Sequence, residues 1–554
     1  PVNAWLLAWF ALVPLWILVV SYEQPKTEEK KQKFLFLPSS FFLLPLFWGI
    51  GYHGLALSWI MGIHPMTWLG VPWWPSLAIA LFCWVFITLW GAALVAVWAW
   101  LLIILNSLSL PGKISFLNYL PLQKETLHSS PLQGGAGGGN SKLLPLIRVL
   151  IGTALWCALE SFWSQGSLWW TSLSYTQSPQ NLAILHLGQL SGPSAVTAAI
   201  VAVNGLIAEA YIEGSSATDS VTDVTDGIRI PPWRMSKKVT GNNLILYILA
   251  ASLCLVLHIV GWGLYNLILT QEAGTALKIG IVQGNVPNEI KFDSVGWRRA
   301  LEGYTAGYKK LADRGVDAVL TPETALPFFW TNEYQLSTLS LYQSILDRGV
   351  LAWVGGFGQQ ESSMTNSLFA IDKTGKIISR YDKTKLVPLG EYIPFYEILG
   401  GIINRLSPLD AHLVPGNPRQ LFDTPFGRAI VGICYDSAFA EIFRYQAAHG
   451  GEFILSASNN AHYKPPMLAQ HHALDVMRAI ETDRWAVIAT NTGYSAFVNP
   501  RGETVWMSGI NTYEVQDATI YRRQTQTWYV RWGDMLTPLL LVLAGFAIIW
   551  QRIA

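Results

Sequence analysis

Residues 428–436 read Arg-Ala-Ile-Val-Gly-Ile-Cys-Tyr-Asp. The apolar run Ala429–Ile433 leads straight into a thiol and then a carboxylate. A run that short, apolar throughout and ending abruptly in polar groups, has the length of a strand buried on both faces. A side chain at the carboxyl end of such a strand points into the crevice where α/β folds hold ligands. Cys434 is therefore placed where chemistry can be done. A lone cysteine behind an apolar strand is also common as buried filler, and spacing alone leaves both readings open.

The same pattern recurs on either side. Residues 278–285, 317–324, 351–358, 367–382, 452–460 and 485–493 each read as a strand ending in polar residues. Arg298–Arg314, Glu333–Arg348, Phe439–Ala448 and Gln470–Thr482 carry helical patterning. Strands alternating with helices predict an α/β domain over 269–533, long enough to bury its own core.

The rest of the chain has a different composition. Of 554 residues only 13% are charged, against roughly 25% in soluble proteins. Apolar residues make up 51% and there are 26 Trp, with a mean hydropathy of +0.32. Such a chain has too little polar surface to cover itself in water. The net charge of +1 gives no electrostatic case for a nucleic-acid partner. Four cysteines exclude a disulfide scaffold.

Seven apolar stretches approach the length needed to cross roughly 30 Å of hydrocarbon. They are Trp5–Val20, Phe34–Ile60, Ser76–Leu105, Leu143–Leu159, Pro193–Ile212, Leu244–Ile268 and Met535–Trp550. Pro38, Pro45 and Pro145 call for kinks or helix starts. Basic residues mark alternate loops: Lys26, Lys30, Lys31 and Lys33; then Lys113, Lys124 and Lys142; then Arg229, Arg234, Lys237 and Lys238. The loops at 62–75 and 163–192 have no Lys or Arg. The positive-inside rule assigns the basic loops to the cytoplasm and 269–533 to the outer face. The expected organisation is a transmembrane bundle over 1–268 with six spans, a catalytic domain over 269–533 and a last helix over 534–554. The glycine-rich 134–140 and the polar 213–227 read as soft linkers.

Cys83, Cys157 and Cys254 fall in spans, where a thiol is a small hydrophobe. In the water-facing domain, Glu323 follows the strand Ala318–Leu320, and Lys383 sits in a loop of aromatics, prolines and glycine. Singly, each is as readily a solvated loop charge. Together a carboxylate, an ammonium and a thiol form a coherent set for acyl transfer: a base for the thiol, a cation for the oxyanion and a nucleophile. His471 and His472 are adjacent, so on a helix they diverge by about 100° and suit packing better than a shared metal. Glu160, at the outer end of a span, reads equally as a functional acid or a headgroup-level charge. His53 and His258 read as packed, hydrogen-bonded groups.

The pattern Thr321-Pro322-Glu323, Tyr381-x-Lys383 and Gly432-Ile433-Cys434-Tyr435 resembles the nitrilase, or carbon–nitrogen hydrolase, superfamily. The longer strings resemble its membrane-bound apolipoprotein N-acyltransferase branch. They are Val282–Asn285, Pro322–Pro327, Asn366–Leu368, Tyr381–Pro394, Arg478–Glu481 and Ala489–Gly493. The resemblance implies a multi-pass helical bundle joined to an αββα-sandwich domain. It also implies one span more than this chain shows, expected before Pro1. It implies Glu323 as general base, Lys383 as oxyanion stabiliser and Cys434 as nucleophile, with Glu391 as a second essential carboxylate that orients Lys383 or stabilises the intermediate. Tyr392, Tyr435, Asp436 and Asn459 are the expected supporting residues. Asp436 stands where the family usually has Glu, and His462-Tyr463-Lys464 replaces a Trp-Phe-Gly loop and is expected to act as a lid or substrate contact.

The resemblance further implies no metal or cofactor, and a monomer in the bacterial inner membrane with its catalytic domain on the periplasmic side. The acyl donor is then a membrane phospholipid and the acceptor a diacylated apolipoprotein. A membrane-tethered amidase or nitrilase with water as acceptor, and a lipid-binding protein on a decayed scaffold, are the rival readings.

Overall fold

The computed structural model describes residues 4–21, 39–67, 70–109, 140–219, 241–267, 273–330, 339–361, 363–392 and 413–553. Both soft linkers, and most of the basic loops, lie largely or wholly outside the described residues.

The membrane half is built on α1 (Val13–Val20), α2 (Ser39–Ala56), α3 (Trp73–Ser109), α4 (Asn140–Trp163), α5 (Pro193–Asp219) and α6 (Gly241–Tyr265). Among the described residues, five helices are long and apolar enough to cross a membrane: α3, α4, α5, α6 and the C-terminal helix Leu536–Ile553. Leu244, Ile245, Ile248, Val256 and Ile259 of α6 are exposed. A contiguous apolar face of that kind suits lipid.

The first expected span is not one helix. Residues Trp5–Trp9 form a 3-10 turn and the α-helix begins only at Val13, with Pro14 in its first turn. The break is held by Asn204 of α5, whose Oδ1 accepts from Leu12 N (3.0 Å) and whose Nδ2 donates to Ala8 O (2.9 Å). Inside a bundle, irregular backbone persists where a side chain satisfies it. The second expected span is also shorter: α2 ends at Ala56 and a 3-10 segment, Ser58–Ile63, follows.

The α/β half contains two six-stranded sheets. The first has the order β12-β1-β2-β3-β4-β5 and the second β11-β10-β9-β8-β7-β6. Their strands are β1 (Ala276–Gln283), β2 (Ala318–Leu320), β3 (Leu351–Gln360), β4 (Ser363–Ile371), β5 (Ile377–Asp382), β6 (Phe422–Thr424), β7 (Gly427–Ile433), β8 (Gly451–Ser458), β9 (Ala486–Thr490), β10 (Ala496–Val498), β11 (Thr504–Met507) and β12 (Glu514–Tyr521). Ile279, Leu320 and Trp353 of the first sheet pack against Val431, Phe453, Leu455 and Val487 of the second. Helices α7 (Ser294–Asp313) and α8 (Ser340–Arg348) cover the first sheet through Tyr304, Leu311, Leu341 and Ile345. Helices α9 (Ala440–Ala448) and α10 (Pro465–Thr482) cover the second through Phe443, Met477 and Ile480. That outer layer belongs to the same apolar core as Trp16, Trp98, Ile184 and Val196 of the bundle. The two halves thus share one packed interior.

Residues 367–382 are not one strand. They contain a hairpin in which β4 and β5 pair antiparallel, Ser367 opposite Asp382. The reason is local: Asp372 Oδ1 accepts from Thr374 N and Lys376 N, and Gly375 takes φ +80°. Asp and Gly at these positions set a turn. Helix α8 starts at Ser340 rather than Glu333, and residues 331–338 lie outside the described residues. Helix α10 begins at Pro465, five residues before the expected start, because Pro at its first turn initiates it.

Candidate active site

Strands β1, β2 and β3 run parallel, as do β7, β8 and β9. Two antiparallel reversals return β5 to the direction of β3. The residues just beyond the carboxyl ends of β2, β5, β7 and β8 are Glu323, Lys383, Cys434 and Asn459, and bonds from Lys383 and from Asn459 to Glu323 bring the ends of the two sheets to one rim.

Glu323 and Lys383 are 6% and 1% exposed. Lys383 Nζ donates to Glu323 Oε1 at 2.9 Å and to Glu391 Oε1 at 2.8 Å. Asn366 Nδ2 reaches both carboxylates, at 2.7 and 3.1 Å. The backbone N–H of Asn459 donates to Glu323 Oε2 at 2.7 Å, and that of Val387 to Glu391 Oε2 at 2.8 Å. Burial alone would raise the Glu323 carboxyl, but the Lys383 ammonium, helped by Lys291 and Asn366, holds it below its ordinary value. For Lys383, burial is outweighed by Glu323 and Glu391, so its ammonium is held well above its usual range.

Cys434 sits at φ +51° on the step from β7 into a 3-10 turn. A non-glycine residue there stores strain of about 1–3 kcal/mol and persists only where its surroundings fix it. Two contacts do so. His471 Nε2 donates to the Cys434 carbonyl (3.0 Å), and Asp436 Oδ2 accepts from Ile433 N (3.0 Å). Burial and then the Glu323 carboxylate push the thiol well up, while Lys383 and the Asn459 N–H offset part of this. The resting pair is a neutral thiol beside a carboxylate, which suits proton transfer in step with attack.

The supporting residues divide by what they touch. Asp436 accepts from Lys385 N (2.8 Å) and the Tyr381 hydroxyl (3.2 Å), tying the Lys383 loop to the turn after β7. Burial raises its carboxyl to about 6, against the pull of the Ile433 N–H and the Lys383 charge. The Tyr435 hydroxyl shares its one proton between the carbonyls of Ser167 (2.8 Å) and Trp169 (2.9 Å), and its ring stacks on Trp170. Tyr392 donates to Ser167 Oγ at 3.3 Å. Both tyrosines therefore bond to the bundle's loop after α4. Asn459 also donates to Asn288 Oδ1 and accepts from Asn491 Nδ2. Tyr463 meets the Trp59 ring edge-on at 5.2 Å, and His462 bonds Asn288.

His471 and His472 are both buried, His472 on Thr504 Oγ1. Glu160 is buried and accepts from Trp156 Nε1, Ser172 Oγ, Leu173 N and Thr197 Oγ1, so it ties the loop after α4 to the bundle. His53 bonds Thr171 Oγ1, and His258 bonds Cys254 O and Asn181.

Three residues at the rim escaped sequence reading. Asn366 joins the two carboxylates; its signal was its place in the Asn366–Leu368 string. Gln470 accepts from Trp59 Nε1 and Trp170 Nε1 and donates to Ala56 O, pinning α10 to the bundle. Lys291 is 2% exposed and donates to the Glu323 carbonyl. Its only sequence signal is a lysine in the short run Asn288–Phe292 after β1.

Residues 278–530 match the family described as carbon-nitrogen hydrolase. A relative from Nostoc sp., an apolipoprotein N-acyltransferase, is 54% identical over 98% of this chain and 95% of its own length. The chain belongs to the apolipoprotein N-acyltransferase family. A second member, from Synechocystis sp., is 44% identical over 100% of this chain and 97% of its own. A solved amidase from Nesterenkonia sp. is 18% identical with a TM-score of 0.36, covering 49% of this chain and 98% of that one. The family is one of acyltransferases, so this chain is a membrane acyltransferase with a nitrilase-like α/β domain.

Proposed function

We propose that the protein moves an acyl chain from a membrane phospholipid, through a thioester on Cys434, to the N-terminal amine of a diacylated apolipoprotein. Glu323 takes the Sγ proton as sulfur attacks the ester carbonyl. Lys383 stabilises the oxyanion, a contribution of about 3–4 kcal/mol by analogy with other oxyanion donors. The bond to the glyceryl oxygen breaks, Glu323 returns the proton to that oxygen and lysophospholipid leaves. The acceptor nitrogen then attacks the thioester, and Glu323 passes an amine proton to the departing sulfur. Glu391 and Asn366 hold Lys383 and Glu323 in place.

The observation that carries this reading is the pair of bonds from Tyr435, next to the nucleophile, to Ser167 and Trp169 of the bundle. The thiol is thereby seated against the membrane half. A soluble enzyme would have to lift each acyl chain out of the bilayer at about 0.8 kcal/mol per methylene. The reading puts 269–533 on the periplasmic face of a bacterial inner membrane, and the alternation of basic loops supports it.

The test is to incubate the detergent-purified protein with acyl-labelled phospholipid. Label should remain on Cys434 until a diacylated lipopeptide arrives and should then appear as a lipid amide. Release as free fatty acid at the same rate with no lipopeptide present would make water the acceptor and the protein a hydrolase.

A further inference from the structure

Lys291 ends the short helix Asn288–Lys291 beyond β1, and its side chain is closed to solvent. Its Nζ lies 3.3 Å from the Glu323 carbonyl oxygen, its one hydrogen-bond acceptor among the described residues. An ammonium carries three donors, so two N–H groups of a buried cation have no protein partner there. Lys383, by contrast, is met by two carboxylates. The charged and titratable groups that interact with Lys291 are the Glu323 carboxylate, the Cys434 thiol and the His462 imidazole, and Glu323 is itself paired with Lys383. Burial draws the Lys291 ammonium down to about 8, against the pull of Glu323 and Cys434. Burial and the Lys291 charge lower His462 to about 4, so at neutral pH it is an uncharged imidazole and a weak proton acceptor.

The two half-reactions differ in their proton balance. Forming the thioester moves one proton from sulfur to the leaving glyceryl oxygen and releases none. Aminolysis starts from an α-ammonium, since such amines have a pKa of about 7.7–8.0. It yields an amide and a thiol, and one proton is left over. Glu323 carries one proton, from nitrogen to sulfur. With its one acceptor site committed to that proton, it cannot also hold the other.

We propose that Lys291 is the proton acceptor of the aminolysis half-reaction, its neutral amine taking the first proton from the acceptor's ammonium. The freed nitrogen lone pair then forms the C–N bond as the C–S bond breaks, the second N–H proton reaches Sγ through Glu323, and the Lys291 ammonium returns its proton to water once the amide has left. This inference rests on the thioester reading above.

The test separates the half-reactions in a single turnover. Wild type, Lys291→Met and Lys291→Arg are loaded with labelled phospholipid, and thioester formation is timed. Diacylated lipopeptide is then added at a series of pH values from about 6.5 to 9.5, a range centred on the amine pKa values. Both variants should slow aminolysis, relative to their own thioester formation, by about a hundredfold at neutral pH. The deficit of Lys291→Met should close as pH rises and the acceptor deprotonates unaided, whereas wild type levels off near pH 8. Arginine keeps the charge but does not deprotonate, so full activity in Lys291→Arg would reduce Lys291 to a fixed charge and overturn the proposal. Unchanged aminolysis in Lys291→Met, or an equal loss in both half-reactions, would overturn it too. Wild type that never holds label would remove the thioester reading itself, a separate failure.

Discussion

Lys383 Nζ stands 2.9 Å from Oε1 of Glu323, and both side chains are buried. Glu391 closes the other side at 2.8 Å. One cation thus answers two carboxylates in a nearly dry site, and the three are not equivalent on removal. Lys383→Met strands both carboxylates and should cost about 3–5 kcal/mol of stability along with all thioester formation. Glu391→Gln leaves the Glu323 pair whole. It should keep the thermal midpoint close to wild type while slowing thioester formation by about tenfold to a hundredfold. Equal melting losses in the two variants would contradict this account.

The acid side of the pH profile should fall in two steps. Asp436, raised to about 6, protonates first and loosens its hold on the backbone of the Lys383 loop. Glu323 is held below its ordinary value by Lys383, so it stays ionised, as the proposed base must, after Asp436 has taken up its proton. The signs for stability are opposite. The depressed Glu323 pKa contributes stability above its unfolded value, lost as pH falls through the folded one. The raised Asp436 pKa contributes stability below its unfolded value, lost as pH rises through about 6. Single-turnover thioester formation should therefore lose part of its rate near pH 6 and the rest below the usual carboxylate range. Complete loss centred at pH 6 would show that the base is not Glu323.

Gln470 joins the halves by accepting from Trp59 and Trp170 and donating to Ala56 O. Gln470→Leu leaves two indole N–H groups and a carbonyl without partners. At about 1–3 kcal/mol per buried unsatisfied group, the variant should melt several degrees below wild type. Differential scanning calorimetry in detergent reads this directly, and an unshifted midpoint would mean that Gln470 does not bear on the interface.

Gly355 of β3 lies under the Glu323 loop. A Cβ there would stand 2.0 Å from the Pro322 carbonyl oxygen, a backbone atom that cannot swing away. Gly355→Ala should displace Glu323 and reduce thioester formation by about a hundredfold or more, since small displacements of a reacting group carry that penalty. Retained activity would place the base elsewhere.

Much of this protein is written in one dimension. Apolar runs of strand length that end in Glu323, Cys434 and Asn459 marked the rim, because the end of a parallel strand is set by where its apolar residues stop. The lipid-facing helices were legible because a bilayer imposes length and apolarity on each span separately. The break near Leu12 was not, since it depends on Asn204, far along the chain. Nor was the Asp372 turn separated from its strands, although its Asp and Gly were in plain sight. Asn366, Gln470 and Lys291 are ordinary polar residues in sequence. Only packing decides that Asn366 lies between two carboxylates, that Gln470 reaches two indoles of the bundle, and that Lys291 is buried with donors to spare. Local composition fixes which segments become strands or spans; the dielectric, partners and strain around a side chain are set by residues far along the chain, and those belong to the tertiary fold.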